Sequence, residues 1–221
     1  FYTFIIVLLI YLSSIYNFNK KDFQSFYNGK KHLFFAHRGV PYLAENSVES
    51  FSEARNLGFS ALETDLHFTK DHKLIVFHDD NTKRLLGFDL NIEDCNWEDL
   101  KDHSIIYNRS ETSNKILLFK ELLINHYSFQ VVYLDIKANI SKLFADRLLF
   151  ELESAKNFNT FFIADSNILF LAYLKFKNSE IKTILEGYKK GKEWFYYLIP
   201  VRFRPDYLAS SYNDIDINHI S

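Results

Sequence analysis

Methionine is absent from this chain, and cysteine occurs once, at Cys95. One cysteine excludes an internal disulfide and leaves the redox compartment open. The missing methionine, with Phe1 in first place, gives the expectation that the sequence is a piece of a longer one. An excess of positive charge is lacking too: 26 Lys and Arg stand against 28 Asp and Glu, for a net charge of −2. That balance excludes a basic field able to hold nucleic acid non-specifically. No internal repeat or low-complexity tract breaks the chain.

What is present fits one globular domain with a sizeable core: 221 residues, 48% hydrophobic and 24% charged. The aromatic share is high, with 23 Phe and 14 Tyr. It reads first as coding bias and second as an aromatic-lined ligand groove. The run from Phe1 to Tyr16 carries no charge, yet it is shorter than the roughly 20 residues that span a bilayer. Residues 1–18 are expected to form a hydrophobic helix that anchors the protein in a membrane. A cleaved signal segment, leaving a secreted or periplasmic protein, and an ordinary buried helix are the alternatives. Lys20, Lys21, Lys30 and Lys31 follow and favour a cytoplasm-facing catalytic part. Residues 19–31 read as a linker and 32–221 as the folded domain.

Within that domain, apolar runs at His32–Ala36, Ser60–Leu66, Gln130–Ile136, Thr160–Ala164, Ile181–Leu185 and Asp206–Tyr212 alternate with helical patterns. Such runs suit strands of a parallel sheet buried on both faces. Asn46 with Glu49 resembles a capping box, followed by Val48, Phe51 and Ala54 as an inward face. Ser141 opens a second helix with Leu143, Leu148 and Leu152 at roughly helical spacing, and a third starts near Asp165 or Ser166 and runs through Phe176. The expected fold is α/β, either a doubly wound sheet or a (β/α)8 TIM barrel. Arg38, Asp65, Lys137 and Asp165 all fall at C-terminal strand ends, which in a barrel share one mouth. The barrel is therefore preferred, incomplete at about six of its eight units.

The chemistry-bearing residues gather at those strand ends. Glu63 and Asp65 are two apart on a strand and share a face; two converging carboxylates repel, and a hard divalent cation resolves this. Taken alone, Glu-x-Asp is common, and a lysine partner or a loop cap is the plain explanation. Asp135, at the end of a neighbouring strand, adds a third oxygen donor. His78 is reached through a turn at Lys70–Lys73, too short for a helical crossover. A hairpin centred near Asp71 would bring His78 opposite Thr64. His37 ends the first strand; Gly39 permits a sharp turn, and Arg38 can fork onto phosphate oxygens. Lys137, on the face of Asp135, adds positive charge or pairs with a carboxylate. The set reads as a phosphodiester-cleaving site with a divalent metal. His32, His67, His72, His103, His126 and His219 are read as structural or solvated.

The stretch from Phe35 to Gly87, with AHRG, ENS, E-T-D, T-K-D and H-D in order, and LDIK later, resembles the glycerophosphodiester phosphodiesterases. The resemblance implies a (β/α)8 barrel that hydrolyses glycerophosphodiesters to an alcohol and glycerol 3-phosphate with Mg2+ or Ca2+. It implies His37 and His78 as catalytic, Glu63, Asp65 and Asp135 as metal ligands, and Arg38 and Lys137 beside the substrate phosphate. It also implies an internal attack by the glycerol 2-hydroxyl, one histidine taking its proton and the other protonating the leaving alcohol, before water opens the cyclic phosphate. Three departures stand out. Asp135 replaces the usual Glu, Ser47 the usual Thr, and His72 the usual turn Gly. A late Trp-Thr-Val-Asn-like strand has no counterpart, in keeping with the expected truncation. Lysophospholipase D activity, phospholipase C-like activity on membrane lipids, and a non-catalytic module binding phosphorylated head groups at a membrane remain as alternatives.

Overall fold

Strand β2 (Ala61–Phe68) organises the sheet. All but one of its residues are buried, as expected for a strand covered on both faces. Along one edge it pairs in parallel with β7 (Val131–Ile136), from Ala61↔Val131 to Leu66↔Ile136. The other edge is shared. Its first half takes β1 (Phe35–His37) in parallel, and its second half takes β3 (Leu74–Val76) antiparallel. Parallel β8 (Phe161–Asp165) extends the sheet beyond β7, and β6 (Leu117–Leu118) extends it beyond β3. The result is an α/β fold with a mainly parallel sheet. The computed structural model describes residues 3–5, 7–8, 11, 33–125, 128–155, 158–187, 189 and 199–211.

The β2–β3 hairpin has the register expected from its short turn: Leu66 faces Val76 and Phe68 faces Leu74. Continued outward, that register sets His78 opposite Thr64. His72 in the turn holds a left-handed φ of 62°, the conformation glycine adopts without strain, and its ring stacks on Phe68.

Helix α1 (Val48–Asn56) starts at Ser47, whose hydroxyl accepts from the Ser50 N–H. The cap is therefore Ser47 and not Asn46, because Asn46 has a left-handed φ of 55° and its amide is committed elsewhere. Phe51 and Ala54 are buried as expected, but Val48 is exposed. In α5 (Lys142–Ser154), Ser141 caps as expected, and Leu148 and Leu152 are buried while Leu143 is exposed.

Between β3 and β7 the chain carries an unforeseen segment. It holds the helical turns α2 (Lys83–Leu86) and α3 (Trp97–Leu100), a hairpin of β4 (Ser104–Tyr107) and β5 (Ser110–Lys115), and α4 (Phe119–Asn125) after β6. Ile92, Leu100 and Ile105 bury against Ile75 and Phe77, giving the segment its own small core.

The chain divides into two compact units, one spanning Leu33–Ala164 and the other including the residues from Asp165 onward. In the latter, α6 (Ile168–Lys177) is capped by Asn167, just beyond the expected start. β9 (Lys182–Leu185) pairs in parallel with β10 (Tyr207–Leu208). The strand expected over Asp206–Tyr212 is thus shorter, and Tyr212 lies outside the described residues, as does His32 at the start of the first expected strand. The expected anchor is described only at 3–5, 7–8 and 11, and the linker 19–31 not at all. Among the described residues, no helix is long and apolar enough to cross a membrane.

Candidate active site

Glu63 and Asp65 project from the same face of β2, and the parallel register sets Asp135 of β7 directly beside Asp65. Each offers a carboxylate oxygen, and these oxygens all lie within 4.8 Å of one another. Asp135 joins the group despite being one methylene shorter than the expected Glu. The Asp65 side chain is 0% exposed. Its Oδ2 accepts from Asn46 Nδ2 at 2.9 Å and stands 3.1 Å from Arg38 Nε, while its buried Oδ1 accepts no hydrogen bond among the described residues. Burial, and then the charge of Asp65, push the Glu63 carboxyl up to about 8. Burial also raises Asp65. Burial and mutual repulsion thus oppose ionising all three carboxylates together. With its oxygen-only donors and the orphaned Oδ1, the cluster fits a hard divalent cation such as Mg2+ or Ca2+.

Basic groups ring the carboxylates. Lys137 Nζ is 2.6 Å from Asp135 Oδ2 and 3.8 Å from Asp65 Oδ1, so its pairing with the carboxylates is realised. Arg38 has φ 54°. Its N–H donates to Glu63 Oε2, and its guanidinium reaches Glu45 Oε1 at 3.1 Å. Gly39 follows with φ 97°, packed so tightly that a Cβ there would sit 2.0 Å from Ser50 Oγ.

Both expected histidines border this group. His37 pairs in register with Glu63, its Nε2 3.7 Å from Glu63 Oε2 and its side chain 70% exposed. Partial burial and then Arg38 lower its pKa. His78 follows β3, near enough to His37 and Asp65 for a charge on its ring to bear on both. His78 Nδ1 lies 2.6 Å from Asp79 Oδ1. With a carboxylate accepting there, the proton belongs on Nδ1, leaving Nε2 to exchange protons.

A model of the glycerophosphoryl diester phosphodiesterase family matches residues 37–184. The chain belongs to this family. It is 31% identical over 142 residues to lysophospholipase D of Homo sapiens, covering 60% of this chain and 43% of that protein. To a glycerophosphodiester phosphodiesterase of Caldanaerobacter subterraneus it is 31% identical over 115 residues, covering 50% and 47%. The matches thus span less than half the length of these curated relatives. A phosphodiesterase of Oleispira antarctica, solved with the product sn-glycerol-3-phosphate, shares the fold with TM-score 0.74 and 19% identity, over 86% of this chain and 78% of that one.

In this glycerophosphodiester phosphodiesterase-family chain, all seven residues singled out from the sequence lie at or beside the carboxylate cluster. Four others went unassigned. Asn46 donates to Asp65 and accepts from Thr64 Oγ1 at 2.7 Å. Asp79 holds His78. Arg84 forks onto Glu45 with bonds of 2.6 and 2.8 Å and onto Asp79 with bonds of 2.6 and 2.7 Å. Glu45 thereby joins Arg84 to Arg38. Asp79 could have been found from its place directly after His78. The Glu45–Arg84 pair, 39 residues apart, leaves no local signal. Of the remaining histidines, His67 is buried with Nε2 3.3 Å from Asp80 Oδ1, and His103 packs on Phe88. His32, His126 and His219 lie outside the described residues.

Proposed function

We propose that this protein hydrolyses glycerophosphodiesters to an alcohol and glycerol 3-phosphate, with a (β/α)8 barrel as its frame. The observation that carries the reading is the three-carboxylate group with its orphaned Asp65 Oδ1, bordered by His37 and His78. Glu63, Asp65 and Asp135 would hold the divalent cation. When bound, such a cation lowers the pKa of a substrate hydroxyl and offsets charge on phosphate oxygens.

The chain's own residues supply the rest. Arg38 and Lys137 neutralise the phosphate as charge grows on it. One of His37 and His78 takes the proton of the glycerol 2-hydroxyl as that oxygen attacks phosphorus. The other protonates the departing alcohol oxygen. Water then opens the cyclic phosphate with the roles exchanged. Histidine suits both tasks because the free imidazole titrates near neutral pH. Asp79 keeps the His78 proton on Nδ1, so that Nε2 faces the reaction.

The test is release of glycerol 3-phosphate from glycerophosphocholine by the full chain with Mg2+ or Ca2+. Turnover lost with chelator, and reduced about 10²–10⁴-fold in His37→Ala and in His78→Ala, supports the reading. Cation binding without turnover on any head group would instead favour a head-group-binding module.

A second reading, lysophospholipase D action at a membrane, is favoured by the likeness to the human lysophospholipase D and by the uncharged run Phe1–Tyr16. Here residues 1–18 tether the protein to the membrane carrying its substrate. Turnover of lysophosphatidylcholine in vesicles, compared between the chain with and without residues 1–18, separates the two substrate classes. Phospholipase C-like action would instead release diacylglycerol from vesicles carrying a diacyl inositol phospholipid.

A further inference from the structure

Beside His37 and Arg38 opens a cavity of about 460 Å3, whose far lining is the tip of the β4–β5 hairpin, Tyr107–Asn108–Arg109. The hairpin is fastened there. Tyr107 Oη donates to the Pro41 carbonyl at 2.8 Å, and Asn114 Nδ2 donates to Glu49 at 2.9 Å. Because Tyr107 pairs with Ser110, the turn consists of Asn108 and Arg109 alone, with φ of 50° and 65°. Such two-residue turns favour Asn first and Gly second. An arginine kept at the strained second place points to a use for its side chain.

The charges in the cavity define that use. Among the described residues its one carboxylate, Glu45, already accepts from Arg38 and Arg84. Arg38 faces Asp65 as well, and Arg84 faces Asp79. Arg109 has no ion pair among the described residues. Among the described residues, a molecule entering the cavity therefore meets one cation without an ion-pair partner and no carboxylate without one. Apolar groups such as Ile106 and Leu85 complete the lining, and Arg109 stands exposed at its rim, where a pairing is modest in strength.

We propose that this cavity receives the alcohol half of the diester and that Arg109 selects an alcohol carrying a negative group of its own, a carboxylate or a second phosphate. The assignment rests on the phosphodiesterase reading, which places the reacting phosphate at Arg38 and Lys137. The departing oxygen then lies within reach of a histidine, and the remainder of the alcohol extends toward the hairpin tip.

Two matched substrate pairs test it. Glycerophosphoserine differs from glycerophosphoethanolamine by one carboxylate. Glycerophosphoglycerol phosphate differs from glycerophosphoglycerol by one phosphate. Using the full chain with Mg2+ or Ca2+, kcat/KM should be higher for the anionic member of at least one pair, and which pair responds identifies the group recognised. Arg109→Ala should reduce that preference roughly fivefold, and Arg109→Glu should reverse it. Arg109→Gly relieves the turn, and its melting temperature separates turn strain from recognition. Preferences unchanged in the variants would overturn the assignment while leaving the activity intact. An equal loss on all four substrates would also overturn it, by placing Arg109 at the reacting phosphate. If the unaltered chain hydrolyses none of the four, the phosphodiesterase reading fails and the assignment with it.

Discussion

Asn46 binds Asp65 across the mouth of the sheet: its Nδ2 donates to Oδ2 at 2.9 Å, while its Oδ1 accepts from Thr64 Oγ1. One buried amide thus orients a carboxylate from the cation cluster and the residue beside it. Asn46→Ala removes both bonds and leaves a buried carboxylate short of a donor. It should cost about 2–3 kcal/mol of stability and weaken cation binding. Asn46→Gly suits the φ of 55° but also loses the amide. If urea midpoints fall for Ala and not for Gly, the backbone and not the hydrogen bonds carries the effect.

Glu63 makes the cation-free protein sensitive to pH. Its carboxyl titrates at about 8 when folded, against a usual value of 4.5. Between these values the folded state binds more protons than the unfolded one, so stability without cation falls as pH rises from 4.5 toward 8. Glu63→Gln should flatten this slope. A cation must displace the same proton, so titration calorimetry at pH 7 in buffers of different ionisation enthalpy should show proton release on Mg2+ or Ca2+ binding. Buffer-independent heats would contradict it.

Arg84 joins the surroundings of Arg38 to those of His78 through paired bonds to Glu45 and Asp79. Arg84→Ala frees both carboxylates, and with them Arg38 and His78. An approximately 10²-fold drop in kcat with a smaller change in KM is expected, as for a lost positioning group. Arg84→Lys should recover little of it, because an ammonium cannot fork onto two carboxylates.

Asp79 gives the same substitution an acid signature. Burial would raise its pKa, but hydrogen bonds from Arg84 and His78 outweigh this and lower it. Its stabilising contribution is therefore present above the usual carboxylate pKa and lost as pH falls below it. Circular dichroism during acid titration should show Arg84→Ala unfolding at higher pH than the parent chain. Coincident curves would remove Asp79 from the account.

Gly39 and Gly58 share left-handed φ values of 97° and 88°, yet a Cβ at Gly39 would collide with Ser50 while one at Gly58 meets nothing within 4 Å. Gly39→Ala should cost about 2–4 kcal/mol and displace Arg38, whereas Gly58→Ala should cost only about 1 kcal/mol. Thermal unfolding of the pair reads the difference directly.

Much of this site follows from short-range pattern. Alternation along one strand puts Glu63 and Asp65 on one face, and a turn too short for a helix makes Leu66–Val76 a hairpin that returns His78. Continuous apolar runs mark β2, β7 and β8 because strands covered on both faces have no polar side to show. The segment carrying β4 and β5 gave no such signal. β5 reads SETSNK, largely exposed, and its fold depends on a small core assembled from separate stretches of chain. The role of Asn46 was misread for a related reason. Capping is a local preference, and a buried carboxylate 19 residues away overrode it. The candidate site residues were thus marked out by residue type and local spacing alone. The Arg84 bridges, the Asn46–Asp65 bond and the cavity beneath Arg109 were decided only by tertiary structure, because each joins residues whose proximity is created by packing and leaves no periodic trace in the chain.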